Sequence, residues 1–182
     1  RDLASAGTQT AALAFGGLSN PPPQTTVNTE SWNGSAWTEV NNLNTTRYAL
    51  AGAGTQTSAL AFGGYTPDSL AETESWNGTS WTDVADLNTA RYQAGGVGSN
   101  NTSALMAGGE DPSGPTAITE LWNGSIWSET SDLNLARDFM GSAGTTTSSL
   151  VYSGEAPSET TATESWDAGI ALGAWATGGS LN

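Results

Sequence analysis

The stretch TESWNGTSWTDVADLNTAR occupies residues 73–91, and near-copies occupy residues 29–47 (TESWNGSAWTEVNNLNTTR) and 119–137 (TELWNGSIWSETSDLNLAR). A fourth, altered copy runs from Thr163 to Asn182. A chain that writes one phrase several times is one structural unit used several times, and no other feature restricts its fold so strongly. Taking Arg1, Arg47, Arg91 and Arg137 as unit starts gives spacings of 46, 44 and 46 residues, and a last unit of 46. The expected organisation is one domain, 1–182, of four units at about 1–46, 47–90, 91–136 and 137–182.

Each unit reads as four short strands. The first follows the Arg (Tyr48 to Gly54, YALAGAG), and a Gly-Thr-Gln-Thr turn at residues 7–10 or 54–57 leads to the second (Ala11 to Phe15, Ser58 to Phe62). The second strand ends in Gly16-Gly17, Gly63-Gly64 or Gly108-Gly109, and unit four departs with Ser153-Gly154. Variable loops follow at 18–28, 65–72, 110–118 and 155–162, the first containing SNPPPQTT at 19–26. The third strand carries Trp32, Trp76, Trp122 or Trp166, and the fourth carries Trp37, Trp81, Trp127 or Trp175. Asn-Gly between the two Trp is a strong hairpin signal, because both residues tolerate positive φ. No segment shows helical apolar spacing, so the expected class is all-β. Unit four writes WDAGIALGAW where the others write a six-residue WNGxxW, so its hairpin tip must bulge or mark an atypical terminal repeat.

Four strands per unit of 40–50 residues is the signature of a propeller blade. Strands crowded at a propeller axis need small residues, and ALAGAG, QAGGVG and FMGSAG supply them. The broad outer part of each blade needs bulk, which the Trp pairs supply. The pattern of Arg91, Gly63-Gly64, Trp76, Trp81 and their counterparts resembles the kelch repeat over the whole chain, with Trp at the first aromatic position where that family more often has Tyr. The phrasing is also similar to repeats in virion and fibre proteins of marine phages. The resemblance implies a β-propeller of four kelch-like, four-stranded blades. The near-integral repeat count favours a closed four-bladed ring; two chains completing a larger ring and a cut from a longer array stay open.

Composition narrows the role. The net charge is −14, with 18 acids against four Arg, and Lys and His are absent. No basic stripe can be built, which excludes a nucleic-acid partner and disfavours anionic membrane surfaces. Strong negative charge favours solubility and suits a salty medium. No apolar run approaches a membrane span. With no Cys, neither a disulfide nor a thiolate metal site exists, and redox compartment is unreadable. The start at Arg rather than Met reads as a mature or excised piece.

The recurring residues have a structural and a chemical reading. Arg1, Arg47, Arg91 and Arg137 hold one place in each unit, and Glu30, Glu74, Glu120 and Glu164 hold another. The structural reading is one Arg–Glu pair or hydrogen-bond post per blade; the chemical one is an Arg cluster gripping a carboxylate or sulfate. Trp32, Trp37, Trp76, Trp81, Trp122, Trp127, Trp166 and Trp175 read as packing rather than sugar-stacking platforms, because every unit repeats them. A ligand site belongs instead in the variable loops. Their acids, Asp68, Glu72, Glu110, Asp111, Glu155 and Glu159, could coordinate Ca²⁺ but have no EF-hand spacing, so a solvated acidic rim is expected. The Asn33, Asn77 and Asn123 glycosylation patterns are already explained by the hairpins.

Without His, Cys or Lys, the chain has no imidazole-based triad, thiol nucleophile, Schiff base or copper-radical centre. No catalytic, cofactor or metal residues are assigned and no enzyme activity is expected. Two carboxylates could hydrolyse a glycoside, but an acid repeated in every blade speaks for architecture. The expected role is a non-catalytic structural or adhesive module of a virion fibre or extracellular appendage. Its partners would be protein or glycan met through the rim loops, with self-association or neighbouring domains of a longer chain. The alternatives are a lectin-like propeller and an intracellular kelch-type interaction domain.

Overall fold

Alternation of small and bulky apolar residues along ALAF and AGAG makes short strands whose two faces both need covering. In the computed structural model, which describes residues 1–19, 24–169 and 173–181, they form four four-stranded antiparallel sheets. Blade 1 holds Ala4–Thr8, Ala11–Phe15, Thr29–Trp32 and Trp37–Val40. Blade 2 holds Ala51–Thr55, Ser58–Phe62, Thr73–Trp76 and Trp81–Asp83. Blade 3 holds Gly95–Asn100, Ser103–Ala107, Thr119–Trp122 and Trp127–Glu129. Blade 4 holds Gly141–Gly144, Ser148–Tyr152, Thr163–Asp167 and Ala174–Thr177. In every sheet the strands are neighbours in chain order. The fold is all-β and propeller-like, and among the described residues no helix is long and apolar enough to cross a membrane.

The first strands start later than the sequence suggests, at Ala51 rather than Tyr48. Ala49 has a φ of 53°, and Asp2, Gln93 and Phe139 sit at its position with φ of 58°, 56° and 50°. A left-handed residue interrupts an extended strand, so Tyr48 makes only an isolated bridge to Tyr65. The first strands line an axial channel of about 360 Å³ through Ser5, Gly52, Gly96 and Ser142. Their smallness is required: a Cβ on Gly52 would lie 2.8 Å from the Phe15 ring and 3.0 Å from the Ser5 carbonyl.

The core lies between blades, in three clusters. Leu13 and Phe15 of blade 1 meet Ala59, Ala61, Trp76 and Trp81 of blade 2. Leu60 and Phe62 meet Ala104, Met106, Trp122 and Trp127 of blade 3. Val97, Leu105 and Ala107 meet Val151, Trp166 and Trp175 of blade 4. Among the described residues no such cluster joins blade 4 to blade 1, so the four blades form an open arc. The closed four-bladed ring expected from the repeat count is not what the chain adopts. A ladder of backbone bonds (Ala49 N–H to Asp2 C=O 2.8 Å, Gln93 to Ala49 2.9 Å, Phe139 to Gln93 3.0 Å) likewise runs once along the arc.

The loops between second and third strands carry small hairpins, Leu18–Ser19 with Gln24–Thr25, Glu110–Asp111 with Gly114–Pro115, and Glu155–Ala156 with Ser158–Glu159. The Pro run at 21–23 and the core of the unit-four insertion at 170–172 lie outside the described residues.

Candidate functional site

The recurring ions are folded inward. Arg47 reaches Glu74 at 2.9 Å, Arg91 reaches Glu120, and Arg137 reaches Glu164 at 3.1 Å, all essentially buried. Each Arg also donates to carbonyls of its own blade, Arg47 to Gly63 and Glu72, Arg91 to Gly108, Arg137 to Ala162. Each Glu caps the preceding linker: Glu74 accepts from Asn44 N–H at 2.7 Å, Glu120 from Asn88 at 2.8 Å, Glu164 from Asn134 at 2.7 Å. Burial pulls the Arg47 guanidinium below its ordinary range, and the Glu74 charge pushes back. These Arg therefore face no ligand, and they do not form a cluster.

Arg1 is a correction. The hydrogen-bond register places it where Tyr48, Tyr92 and Asp138 stand: Leu18 N–H bonds Arg1 C=O at 2.7 Å, as Tyr65 bonds Tyr48 and Glu110 bonds Tyr92. The buried arginine position of the other blades lies one residue before it. The Arg1 side chain is 62% exposed with its guanidinium 3.9 Å from Asp2, and Glu30 is exposed and pairs with no arginine among the described residues. The 46-residue spacing coincided with the repeat because unit one has a longer loop.

The Trp pairs stack within each blade, with ring centroids 5.3 Å apart for Trp76–Trp81, 5.5 Å for Trp122–Trp127 and 5.4 Å for Trp166–Trp175. These six are buried. Trp32 is half-buried and Trp37 exposed, although their centroids are also 5.5 Å apart.

What remains for contact is the loop rim. There the residue after each buried Arg bridges the residue after the Gly pair, or after Ser153-Gly154 in blade 4, giving Tyr48 with Tyr65, Tyr92 with Glu110 and Asp138 with Glu155. The side chains form a row across blades 2–4. Tyr48 and Tyr65 rings lie 5.6 Å apart, and Tyr65 and Tyr92 lie 4.9 Å apart. The Tyr92 hydroxyl then meets Glu110, and burial with that bond pushes the phenol above its ordinary range. Burial also raises the Asp138 carboxyl, which lies against Glu110. A cleft of about 460 Å³ opens beside the row, lined by Tyr65, Asp68, Ser69, Tyr92, Glu110 and Asp111. The sequence marked Asp68, Glu110 and Asp111 as rim acids but missed the tyrosines. Their position, directly after the Arg or the Gly pair, is the signal that would have found them. Among the described residues no group of three acids could hold a metal ion.

No protein-family model matches the chain, and no curated protein matches it. Among solved structures it is similar to YjhT: 91% of this chain superposes on 66% of that chain, with a TM-score of 0.78 at 13% identity. The chain thus spans about two thirds of that protein's length. At 13% identity the likeness is one of fold alone.

Proposed function

We propose that this chain is a non-catalytic, kelch-type propeller module with a structural or adhesive role, set in a virion fibre or extracellular appendage. The supporting observation is where the repeated chemistry lies. Arg47, Arg91, Arg137, their Glu partners and six Trp are buried, so repeat-invariant residues act in folding. Variation and exposure coincide at the loop rim. The test exchanges loops 65–72 and 110–118 for Gly-Ser of equal length. Retained folding with lost adsorption to polysaccharide- and protein-coated surfaces is expected; undiminished adsorption overturns the reading.

The tyrosine row beside acids favours a second reading, a lectin-like rim. Sugar rings stack on aromatic faces while carboxylates accept their hydroxyls. A broad glycan array with the native chain and Tyr65→Ala separates the two. Binding lost in the variant supports the lectin, and silence across the panel removes it.

A further inference from the structure

The buried arginines sit in one recurring set of acceptors. The Arg47 guanidinium donates to Gly63 C=O at 3.2 Å, Glu72 C=O at 2.6 Å, Ala61 C=O at 3.4 Å and Glu74 Oε1 at 2.9 Å. Arg91 repeats the set with Gly108, Met106 and Glu120, and Arg137 with Ala162 and Glu164. The same Glu accepts a backbone N–H from the residue three before the arginine, Asn44, Asn88 or Asn134. One carboxylate beside a fan of carbonyls suits the diverging N–H donors of a guanidinium.

Blade 1 builds these acceptors without an arginine to fill them. Glu30 stands opposite Ala14 in the sheet, as Glu74 stands opposite Ala61, Glu120 opposite Met106 and Glu164 opposite Val151. Gly16 N–H bonds Asn28 C=O at 3.0 Å, as Gly63 N–H bonds Glu72 C=O at 3.1 Å. The equivalents of Ala61, Gly63, Glu72 and Glu74 are therefore Ala14, Gly16, Asn28 and Glu30. All four line one cleft of about 200 Å³, together with Arg1 and Leu18. Among the described residues Glu30 takes part in no ion pair. Glu30 is exposed where Glu74, Glu120 and Glu164 are buried, and Ala14 is half-buried where Ala61 and Met106 are fully covered. Arg1 does not supply the group: its terminal ammonium donates to Leu18 C=O at 2.9 Å, and its guanidinium lies toward Asp2.

We infer that this cleft is a binding site for the arginine of an extended peptide segment. The guanidinium meets Glu30 and the Ala14, Gly16 and Asn28 carbonyls, and the segment's backbone N–H three residues earlier meets the Glu30 carboxylate. The acceptor set selects the class of ligand. A guanidinium reaches a carboxylate and several carbonyls at once from a rigid plane, whereas a Lys ammonium is a compact point charge with three donors. Charge brings such a segment in: Arg47, Arg91 and Arg137 are buried and the chain carries −14, so its surface attracts cations. The inference does not rest on the proposed role of the rim loops.

The test titrates the 182-residue chain with acetyl-Leu-Asn-Thr-Ala-Arg-amide, the sequence of residues 87–91, by calorimetry at low ionic strength. Saturable binding is expected, weakened about tenfold or more by Glu30→Gln, whose fold is checked by thermal melting. A peptide with Lys in place of its Arg should lose about as much. A chain carrying one added Arg directly before Arg1 should melt at a higher temperature and no longer bind the peptide, because that arginine takes the cleft. No binding to the native chain overturns the inference. So does undiminished binding to Glu30→Gln or to the arginine-extended chain, and so does equal binding of the Lys peptide.

Discussion

At the scale of the residue, the decisive chemistry is the buried Arg–Glu post. Removing the charge of Glu74 leaves Arg47 buried and unpaired, which costs about 3–5 kcal/mol. Glu74→Gln should therefore lower unfolding free energy in urea by that amount, whereas Glu30→Gln, on an exposed group, should stay within about 0.5 kcal/mol. Equal effects would mean that the pair is not what stabilises the blade. Asp138 gives a pH signature. Its carboxyl is raised above the ordinary 3.8, first by burial and then by Glu110, with Glu155 adding to it. The folded state thus binds its proton more tightly than the unfolded one. The stability tied to that proton is present below pH 3.8 and is lost as pH rises through the folded value. Asp138→Asn should accordingly be more stable than the native chain at neutral pH and converge with it in acid, a comparison made by thermal melts across pH. The Arg–Glu posts were legible because both residues recur in each unit. The Tyr48–Tyr65–Tyr92 row was not, because it pairs residues of different strands and different blades.

At the scale of the element, turns and close approaches set the blade. The Gly pair that ends the second strand of blades 1–3 lets the next unit's linker pass within hydrogen-bond reach, with Gly64 N–H bonding Arg91 C=O at 3.0 Å. A Cβ on Gly63 would lie 2.5 Å from that same carbonyl, at a φ of +64°. Gly63→Ala should cost more than about 3 kcal/mol, since strain and a backbone clash add. Gly114 has a φ of +117° but nothing within 4 Å, so Gly114→Ala should cost about 1 kcal/mol. Chemical denaturation of both variants distinguishes the contributions; a similar loss in both would show that conformation alone matters. The Asn-Gly hairpins form where the sequence implied, but as four-residue loops in which only the Gly, not the Asn, takes a positive φ. Asn77 Oδ1 accepts from Thr79 and Ser80 N–H at 2.9 and 3.0 Å, and Gly78 takes a φ of +93°.

At the scale of the whole molecule, blades 2 and 3 are covered on both faces and blades 1 and 4 on one. In an array stabilised by neighbour contacts, blades with one neighbour open first. Hydrogen exchange should protect the second-strand amides near Leu60 and Leu105 longest, and release those near Leu150 soonest. Uniform protection would mean that the arc unfolds as one unit. The same asymmetry ranks the tryptophans: Trp81→Ala should cost about 3–5 kcal/mol, and Trp37→Ala well under half as much.

The sequence alone determined the blade. Periodicity, Asn-Gly turns, paired glycines and paired tryptophans are local in the chain, and local rules read them. Which residues of unit one match which of the others was decided by the hydrogen-bond register, which placed Arg1 one step away from the buried arginines. Residue spacing counts chain length, and a longer loop can offset a one-residue shift without altering that count. How the blades close was likewise decided only in three dimensions. Closure depends on the angle between neighbouring sheets, which packing of Leu, Phe and Trp side chains sets and no repeat count encodes.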